Sequence, residues 1–595
     1  MNCKRNIVTL IESFFVTWAL SKVFLLNPGN IFNGVIFVIG ILIINHIKSI
    51  IDDDVRTIRI AHITSLIFTV CIMLYGRDSY IGELTNRFFR LIILCSVFVG
   101  LFTGFYYMLR YLYHVFSCPK IWGYLRRSED DKEPENKLVR FYENHIQIST
   151  FLICVICFLP YFLYQFPGIM TPDSIVQYEQ ALHITGYSNH HPWIHTLILE
   201  LFYDIGHLFT NDDTVAASVY TLVQMCFMAY CGAYVTETLS RLKVRKGICL
   251  AVTLFYGLVP YNAVFAITVW KDVPFAGIVA LFVCTLIRFD IYLNSEEGSK
   301  SQSTVYIILV GLLAFCLGLF RSNGLYALIA LIPFLAVHYK KYIKVMLTTT
   351  VILLVFIFLF KGPLMKAFNV KGPDTVESLS IPLQQVANVI VNDREISDGY
   401  MKEIKNVVDL TYIKELYEPT FADNIKELVR AGNEEYLVNN KWAFTKMYIH
   451  LGLQYPADYM KAYVMQTYGY FYPDRDYNVA DTEGVVNSNI DFKNTPIIAG
   501  PVVVKAKEIL IKLGNMIPVY SLLWSMGTIF FVLIFVISLN RVRNRKNRNL
   551  YLLPYLLIML TILIATPVAT EFRYGYFMMF SIPVILFGAC GEDVK

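Results

Sequence analysis

The sequence predicts an all-α protein that crosses a membrane many times. Hydrophobic residues make up 56% of its 595 residues and charged residues only 16%, whereas ordinary soluble domains carry about a quarter charged residues. The chain also contains about fourteen apolar runs of roughly the 20 residues that a spanning helix needs. A soluble core this apolar would leave large hydrophobic patches exposed, so lipid is the natural solvent for the chain.

The apolar runs fall into an early and a late group. Four precede a polar linker at 116–147, and ten follow it, interrupted by a hydrophilic segment whose pattern from Glu377 to Tyr459 is mostly helical. The sequence thus predicts a four-helix N-terminal extension (1–115), a cytoplasmic linker (116–147), a membrane core (148–361), an extracytoplasmic domain (362–516) and C-terminal membrane helices (517–595). The runs lie at 8–26, 30–48, 60–77, 92–115, 148–166, 215–238, 247–265, 273–289, 303–320, 323–338, 345–361, 517–538, 549–566 and 574–591.

The Lys and Arg residues of the short loops predict the orientation, because cytoplasmic loops carry an excess of them. Six basic clusters fall on one side of the predicted spans, and the segment 167–214, which has no Lys or Arg, falls on the other. We therefore expect a multi-pass cell-membrane protein with both termini in the cytoplasm and 167–214 outside. Residues 193–210 are apolar enough for a short span, but a crossing there would move the basic cluster at Arg241 outside. We interpret 193–210 as an interfacial helix.

Several function classes are disfavoured by composition and by missing motifs. A net charge of +5 is small for this length and argues against nucleic acid as a partner. The CxxC pair Cys154 and Cys157 lies inside an apolar run, so we interpret it as two small hydrophobic residues, and 362–516 contains no cysteine that could form a disulfide. The sequence has no P-loop and no dinucleotide-binding GxGxxG turn, and its inner loops are too short for a nucleotide-sugar domain.

Unusual polar residues gather where four predicted outer loops meet the membrane. Charges so close to hydrocarbon are costly unless they face a protein cavity and have partners. One shared, water-filled pocket would explain all four loops. The candidate site residues are Asp173, His190, His191, Lys271, Asp272, Arg321, Asn323, Glu571, Arg573 and Tyr574.

These residue types suit a displacement at a sugar carbon attached to a lipid phosphate. Asp173 is a candidate general base for an acceptor hydroxyl, and the nearby cations would offset a phosphate leaving group. Each motif also has a purely structural interpretation. Asp173 would cap the helix that follows it, and the segment His190 to Pro192 would begin the next helix. Lys271 and Asp272 would be a local pair, and Arg321 and Arg573 would be interfacial anchors.

The stretches that carry these residues resemble the GT-C superfamily of membrane glycosyltransferases, which includes lipid A aminoarabinose transferases and protein mannosyltransferases. The likeness is strongest to uncharacterised bacterial GT-C-like membrane proteins and covers roughly 148–595, with the four N-terminal runs outside it. The matching stretches are TPDSIVQYEQAL, SNHHPWIHT, TVWKDVPFA, FRSNGLYAL, ESLSIPLQQVA and EFRYGYF.

The resemblance implies a GT-C-like fold and a polyprenyl-phosphate sugar donor at the outer membrane face. Asp173 would be the base, the outer-loop cations would hold the phosphate, and Arg573 would line the donor site. The acceptor would be a glycan, a lipid or a protein of the cell envelope. Ser174 follows Asp173 where several members of the superfamily have a second acid, so we expect no metal and no other cofactor.

Two other functions compete with this one. A transporter or flippase of a lipid-linked or anionic solute would need polar groups at mid-membrane depth, and most of the predicted spans have uncharged interiors. A non-catalytic membrane scaffold would use 362–516 to bind a partner. Covalent product formation separates the glycosyltransferase from both.

Overall fold

The computed structural model describes residues 2–52, 54–127, 136–294, 300–475, 477, 484–565, 568 and 570–589. Within these ranges the protein is helical, and its only extended pairings are isolated β-bridges. The helices up to residue 367 are α1 (Asn2–Val23), α2 (Ile31–Ile50), α3 (Val55–Ile81), α4 (Arg87–Ser117), α5 (Pro119–Leu125), α6 (Lys137–Asn144), α7 (Ile146–Tyr164), α8 (Pro172–Ala181), α9 (Trp193–His207), α10 (Asp213–Arg241), α11 (Lys246–Leu258), α12 (Pro260–Ala266), α13 (Asp272–Leu293), α14 (Lys300–Phe320), α15 (Ser322–His338), α16 (Ile343–Leu359) and α17 (Met365–Ala367).

The hydrophilic segment is helical, as its pattern predicts. Short amphipathic helices surround a core of buried apolar side chains that includes Val389, Val407, Val429 and Met447. These helices are α18 (Ser380–Val391), α19 (Asp398–Val407), α20 (Ile413–Leu416), α21 (Asp423–Ala431), α22 (Glu434–Asn439), α23 (Lys441–Gln454) and α24 (Pro456–Phe471). The helices that follow are α25 (Pro501–Met516), α26 (Met526–Val542), α27 (Leu553–Ala565) and α28 (Tyr576–Phe580).

The apolar helices suit a membrane. Among the described residues, nine helices are long and apolar enough to cross a bilayer, and a tenth candidate is the bent pair α11 and α12. Three shorter apolar helices are α15, α26 and α27. By length and composition this is a helical membrane protein, and several of the predicted runs correspond to helices that begin and end within a few residues of the expected bounds.

Three predicted runs are interrupted in the structure. The run 247–265 bends by 54° between α11 and α12, where Pro260 begins the second helix. The run 517–538 becomes helical only from Met526, after a residue with a left-handed φ of 72° at Val519 and a 3-10 turn. The run 574–591 divides into α28 and a π-helical turn at Val584–Gly588, with Pro583 between them.

Contacts divide the protein into two compact units. The first unit contains residues 1–124, 468–475 and 526–549, and in it α1 packs against α4 and α26 packs against α3. The second unit contains 125–467, 476–525 and 550–595. The helix α26 therefore packs with the N-terminal helices, although the sequence assigned it to the C-terminal group.

Candidate functional site

The second unit contains a cavity of about 560 Å³ that residues from distant parts of the chain line. Nine of the ten candidate residues face it, and Asp272 lies beside it with its side chain 1% exposed. Charged and polar side chains, together with a few aromatic ones, form the walls. The lining includes Thr171, Asp173, His190, His191, Trp270, Lys271, Arg321, Asn323, Lys361, Glu377, Phe421, Asp423, Lys426, Glu571, Arg573 and Tyr574.

The backbone before α8 positions Asp173. Ile169 forms a parallel bridge with Thr268, and Met170 forms another with Val485. Thr171 and Ser174 then form a reciprocal capping box at the start of α8. The interpretation of Asp173 as the helix cap is therefore wrong, because the hydroxyls on either side of it do the capping and leave its carboxylate free to face the cavity.

Two cations hold the carboxylate of Asp173. Arg573 donates a hydrogen bond of 2.7 Å from Nη1 to Oδ2, and Lys271 Nζ lies 3.9 Å from the same oxygen. Burial alone would raise the pKa of Asp173, but the positive charges of Lys271 and Arg573 hold that pKa well below its usual value. Asp173 is thus ionised in the unliganded protein, and the two cations belong to its immediate surroundings.

Lys271 also contacts His191. Lys271 Nζ lies 2.7 Å from His191 Nδ1, and the His191 residue is only 5% exposed. An ammonium group has donors but no acceptor, so Nδ1 must accept and the His191 proton resides on Nε2. Burial and the neighbouring Lys271 lower the pKa of His191, which keeps the imidazole neutral. His190 stacks edge-on against His191, with ring centroids 4.7 Å apart.

The two arginines of the site are held by a carboxylate on one side and an aromatic ring on the other. Arg321 Nη1 lies 2.6 Å from Asp272 Oδ1, and its guanidinium lies 4.6 Å from the Tyr574 ring centre. Arg573 lies 5.1 Å from the ring of Trp270 and 5.2 Å from that of Tyr574. Both side chains are therefore held inside the protein, at 10% and 15% exposure, rather than extended from it as interfacial anchors would be.

Lys271 and Asp272 do not form the local pair that their adjacency suggests. Their side chains join different partners, because α13 begins between them and directs Lys271 to Asp173 and Asp272 to Arg321. Glu571 completes this wall, with Oε2 3.3 Å from Arg573 Nε, and burial raises the pKa of its carboxyl.

Another part of the lining comes from the helical domain, the helices α18 to α24 of the hydrophilic segment. Lys426 Nζ lies 2.8 Å from Glu377 Oε2 and 2.5 Å from Asp423 Oδ1. Arg430 also reaches Glu377, at 2.6 Å. Burial would raise the pKa of Glu377, but the two cations lower it. Glu377 and Ser380 of the ESLSIPLQQVA stretch thus line the cavity.

The helix α9 corresponds to the segment interpreted as interfacial. Its His195 is fully buried, with Nδ1 2.9 Å from Gln177 Oε1 and Nε2 2.6 Å from Tyr220 Oη. Burial lowers the pKa of His195 to about 3, so the ring stays neutral and packs as a structural residue. It does not line the cavity.

Several residues that line the cavity are not among the candidates from the sequence. Trp270, Asp423 and Lys426 give no local signal, because their roles depend on which helices meet. Lys361 does have a local sequence signal, because it is a single cation directly after the apolar run VILLVFIFLF. An ionisable residue at such a position is a candidate functional group.

The described residues contain no group of three or more His, Cys, Asp or Glu that could hold a metal ion. In a comparison with known protein families, residues 182–595 match the model of DUF6020, a family of unknown function. The matched range includes the nine candidate residues from His190 onward and begins after Asp173. No curated protein matches the chain, and no solved structure does.

Proposed function

The chain belongs to the DUF6020 family, whose function is unknown, and we propose that it is a GT-C-type membrane glycosyltransferase. It would move a sugar from a polyprenyl-phosphate carrier to an acceptor hydroxyl of a cell-envelope glycan, lipid or protein. The observation that carries this proposal is the ionised carboxylate of Asp173, bound by Arg573 and close to Lys271 in one polar cavity.

The reaction is a displacement at the anomeric carbon of the donor. The acceptor oxygen forms a bond to that carbon, while the bond from the carbon to the phosphate oxygen breaks and its electron pair leaves with the phosphate. The acceptor proton passes to the carboxylate of Asp173. The donor phosphodiester, with one negative charge, becomes a lipid phosphate monoester with a second charge, and Asp173 becomes neutral.

Arg573 suits this movement of charge. In the unliganded protein its Nη1 donates to Asp173. When Asp173 accepts the proton, Arg573 loses its anionic partner at the moment when the phosphate gains negative charge. A guanidinium placed there in advance stabilises the charge that develops in the transition state. Lys271 is a second cation for the same phosphate.

The low pKa of Asp173 makes it a weak base, and this reaction demands only a weak one. Transition states at glycosidic carbons have oxocarbenium-ion character, so bond breaking leads and the acceptor hydroxyl becomes acidic only as its new bond forms. Once the donor phosphate draws Arg573 and Lys271 toward itself, the pKa of Asp173 rises toward its usual value and the base becomes stronger.

The composition and the apolar helices support a membrane location, and the orientation remains part of the proposal. We propose that the cavity opens on the outer face, where the basic clusters of the loops predict the segment 167–214 to lie. A donor held in the membrane would reach the cavity laterally, which explains how the protein could act without a nucleotide-sugar domain.

Lipid analysis of cells with and without the protein tests the proposal. Deletion cells should accumulate a polyprenyl-phosphate sugar that mass spectrometry identifies, and the wild-type chain should clear it. Asp173→Asn should fail to clear it although the protein is present in normal amount. Asp204→Asn, which changes an exposed acid on α9, is the matched control and should clear the lipid.

Two outcomes would contradict the proposal. Clearance by the Asp173→Asn variant would remove Asp173 as the base. Movement of the intact lipid across proteoliposomes without a covalent product would instead favour the transporter.

A further inference from the structure

We propose that Lys361 receives the phosphate of the lipid carrier and that the carrier reaches the cavity along α16. This inference rests on the proposed function and deepens it, because it assigns a phosphate-binding residue and a route for the lipid.

The cations that line the cavity differ in their partners. Four of them are bound by carboxylates: Arg573 and Lys271 by Asp173, Arg321 by Asp272, and Lys426 by Glu377 and Asp423. Within the part of the chain that the structure describes, the side chain of Lys361 has neither an ion pair nor a hydrogen bond. A partly buried cation without a counter-ion is costly, and an anionic ligand would relieve that cost.

The backbone around Lys361 is irregular and tied to the first loop of the site. Lys361 lies in a π-helical turn, Phe360–Leu364, between α16 and α17, and such turns are frequent at functional sites. The ring of Phe360 lies 5.3 Å from that of Trp193, the residue that begins α9 directly after the His-His-Pro sequence. The π-helical turn therefore holds Lys361 beside the loop that carries His190 and His191.

Backbone hydrogen bonds also join the chain after Lys361 to the loop that carries His190 and His191. Lys371 N donates to Tyr187 O at 2.9 Å, and Asn189 N donates to Lys371 O at 2.8 Å. The chain on both sides of Lys361 is thus joined to residues 187–193. This support gives the ammonium group a defined place at the edge of the cavity.

The helix that leads to Lys361 has the character of a lipid-facing surface. The most apolar 18-residue stretch of the candidate span Lys340–Ala367 has a mean hydropathy of 2.5, the highest among such stretches of the candidate spans, and only 11% of it is buried. Val355, Phe356 and Phe358 are exposed on the turns before Lys361. A lipid chain lying on this apolar surface would bring its phosphate to the ammonium group and its attached sugar into the cavity.

Equilibrium binding of farnesyl phosphate to the purified full-length protein in neutral detergent tests the assignment. Lys361→Met should weaken binding roughly tenfold to a hundredfold, because one charge-assisted contact is lost. Lys361→Arg should retain most of the affinity. Lys366→Met removes an exposed lysine from α17, outside the cavity lining, and should bind like the wild type.

Farnesol and inorganic phosphate separate the contributions of the chain and the charge. Farnesol lacks the anion, so its binding should not respond to Lys361→Met. Inorganic phosphate lacks the chain and should bind far more weakly than farnesyl phosphate. Equal binding of inorganic phosphate would overturn the lipid route, and unchanged farnesyl phosphate binding by Lys361→Met would overturn the assignment of Lys361.

Failure of this inference differs from failure of the proposed function. Asp173→Asn should still bind farnesyl phosphate, because binding does not require the base. If Asp173→Asn retains transfer activity while Lys361→Met loses farnesyl phosphate binding, the catalytic proposal fails and the phosphate assignment stands.

Discussion

At the scale of single residues, most of the charged side chains that line the cavity neutralise one another in ion pairs. Asp173, Asp272 and Glu377 each lie within 3 Å of at least one cation. Partly buried ions are stable only when partners replace the water that they lose. A bound phosphate would compete with Asp173 for Arg573. The cation that pairs with Asp173 in the unliganded protein would therefore also bind the ligand.

Outside the cavity, the carboxyl groups of Glu434 and Asp374 form a pair that predicts a pH dependence of the free energy of unfolding. A hydrogen bond with Asp374, and then burial, raises the pKa of Glu434 to about 7. Because the folded state favours the protonated form, this contribution to the free energy of unfolding is full below about pH 4.5 and is lost as the pH rises through about 7.

Glu434→Gln should make the free energy of unfolding less dependent on pH between about 4.5 and 7, because the glutamine amide donates to Asp374 across this range. The free energies of unfolding of the wild type and the variant should differ by no more than about 1 kcal/mol, because Glu434 is partly exposed. Thermal unfolding in detergent at several pH values measures this difference, and the exposed Glu435→Gln is the control. An unchanged slope for Glu434→Gln would show that Glu434 is not the titrating group.

At the scale of elements, the position of Asp173 depends on backbone pairing rather than on its own helix. The segment before α8 bridges the segment before α13 through Ile169 and Thr268. Ser174 Oγ then donates to Val269 O at 2.7 Å. These contacts bring the first turn of α8 beside the start of α13, and they place Asp173 near Lys271.

Gly168 permits the close approach of the segments before α8 and α13, and its substitution tests that approach. Its φ is +140°, and a Cβ there would lie 2.5 Å from Thr221 Oγ1 and 3.1 Å from Ile267 O. Gly168→Ala should lower the free energy of unfolding by at least about 2 kcal/mol, through strain and overpacking. It should also reduce transfer activity, because Asp173 would move away from Lys271.

Gly186→Ala is the matched control for this substitution. Gly186 lies in the same predicted outer loop, and a Cβ there would meet nothing within 4 Å. Thermal unfolding and the lipid clearance assay should therefore give wild-type values. A wild-type melting temperature for Gly168→Ala would contradict the close backbone approach.

At the scale of the whole molecule, the proposal requires the helical domain and the cytoplasmic linker to lie on opposite sides of a membrane. Cysteine labelling of intact cells with a membrane-impermeant maleimide measures this. Trp442→Cys, at a side chain 81% exposed on α23, should react from outside. Tyr124→Cys, at a position within the linker that is 73% exposed, should react only after the cells are opened.

Wild-type cells give the background from the native cysteines in this experiment. The reverse pattern, with position 124 labelled in intact cells and position 442 protected, would place the cavity on the cytoplasmic face. That result would remove the outer-face site while leaving the geometry of the cavity unchanged.

The sequence by itself determined the class of the protein and the identity of most charged residues in the cavity. Apolar length and the helical period are local properties, so the helices of the membrane core and of 362–516 follow from the residues in each window. Polar clusters at the ends of alternate spans were expected on one side, and the structure brings nine of the ten candidate residues to one cavity.

Only the tertiary structure decided which charges meet. Asp173 and Arg573 are 400 residues apart in the chain, and no local pattern encodes their 2.7 Å contact. Adjacent Lys271 and Asp272 join different partners for the same reason, and the side chain of Lys361 has no carboxylate partner among the residues that the structure describes. Ion pairing depends on separations of a few ångströms between packed elements, and packing sets those separations.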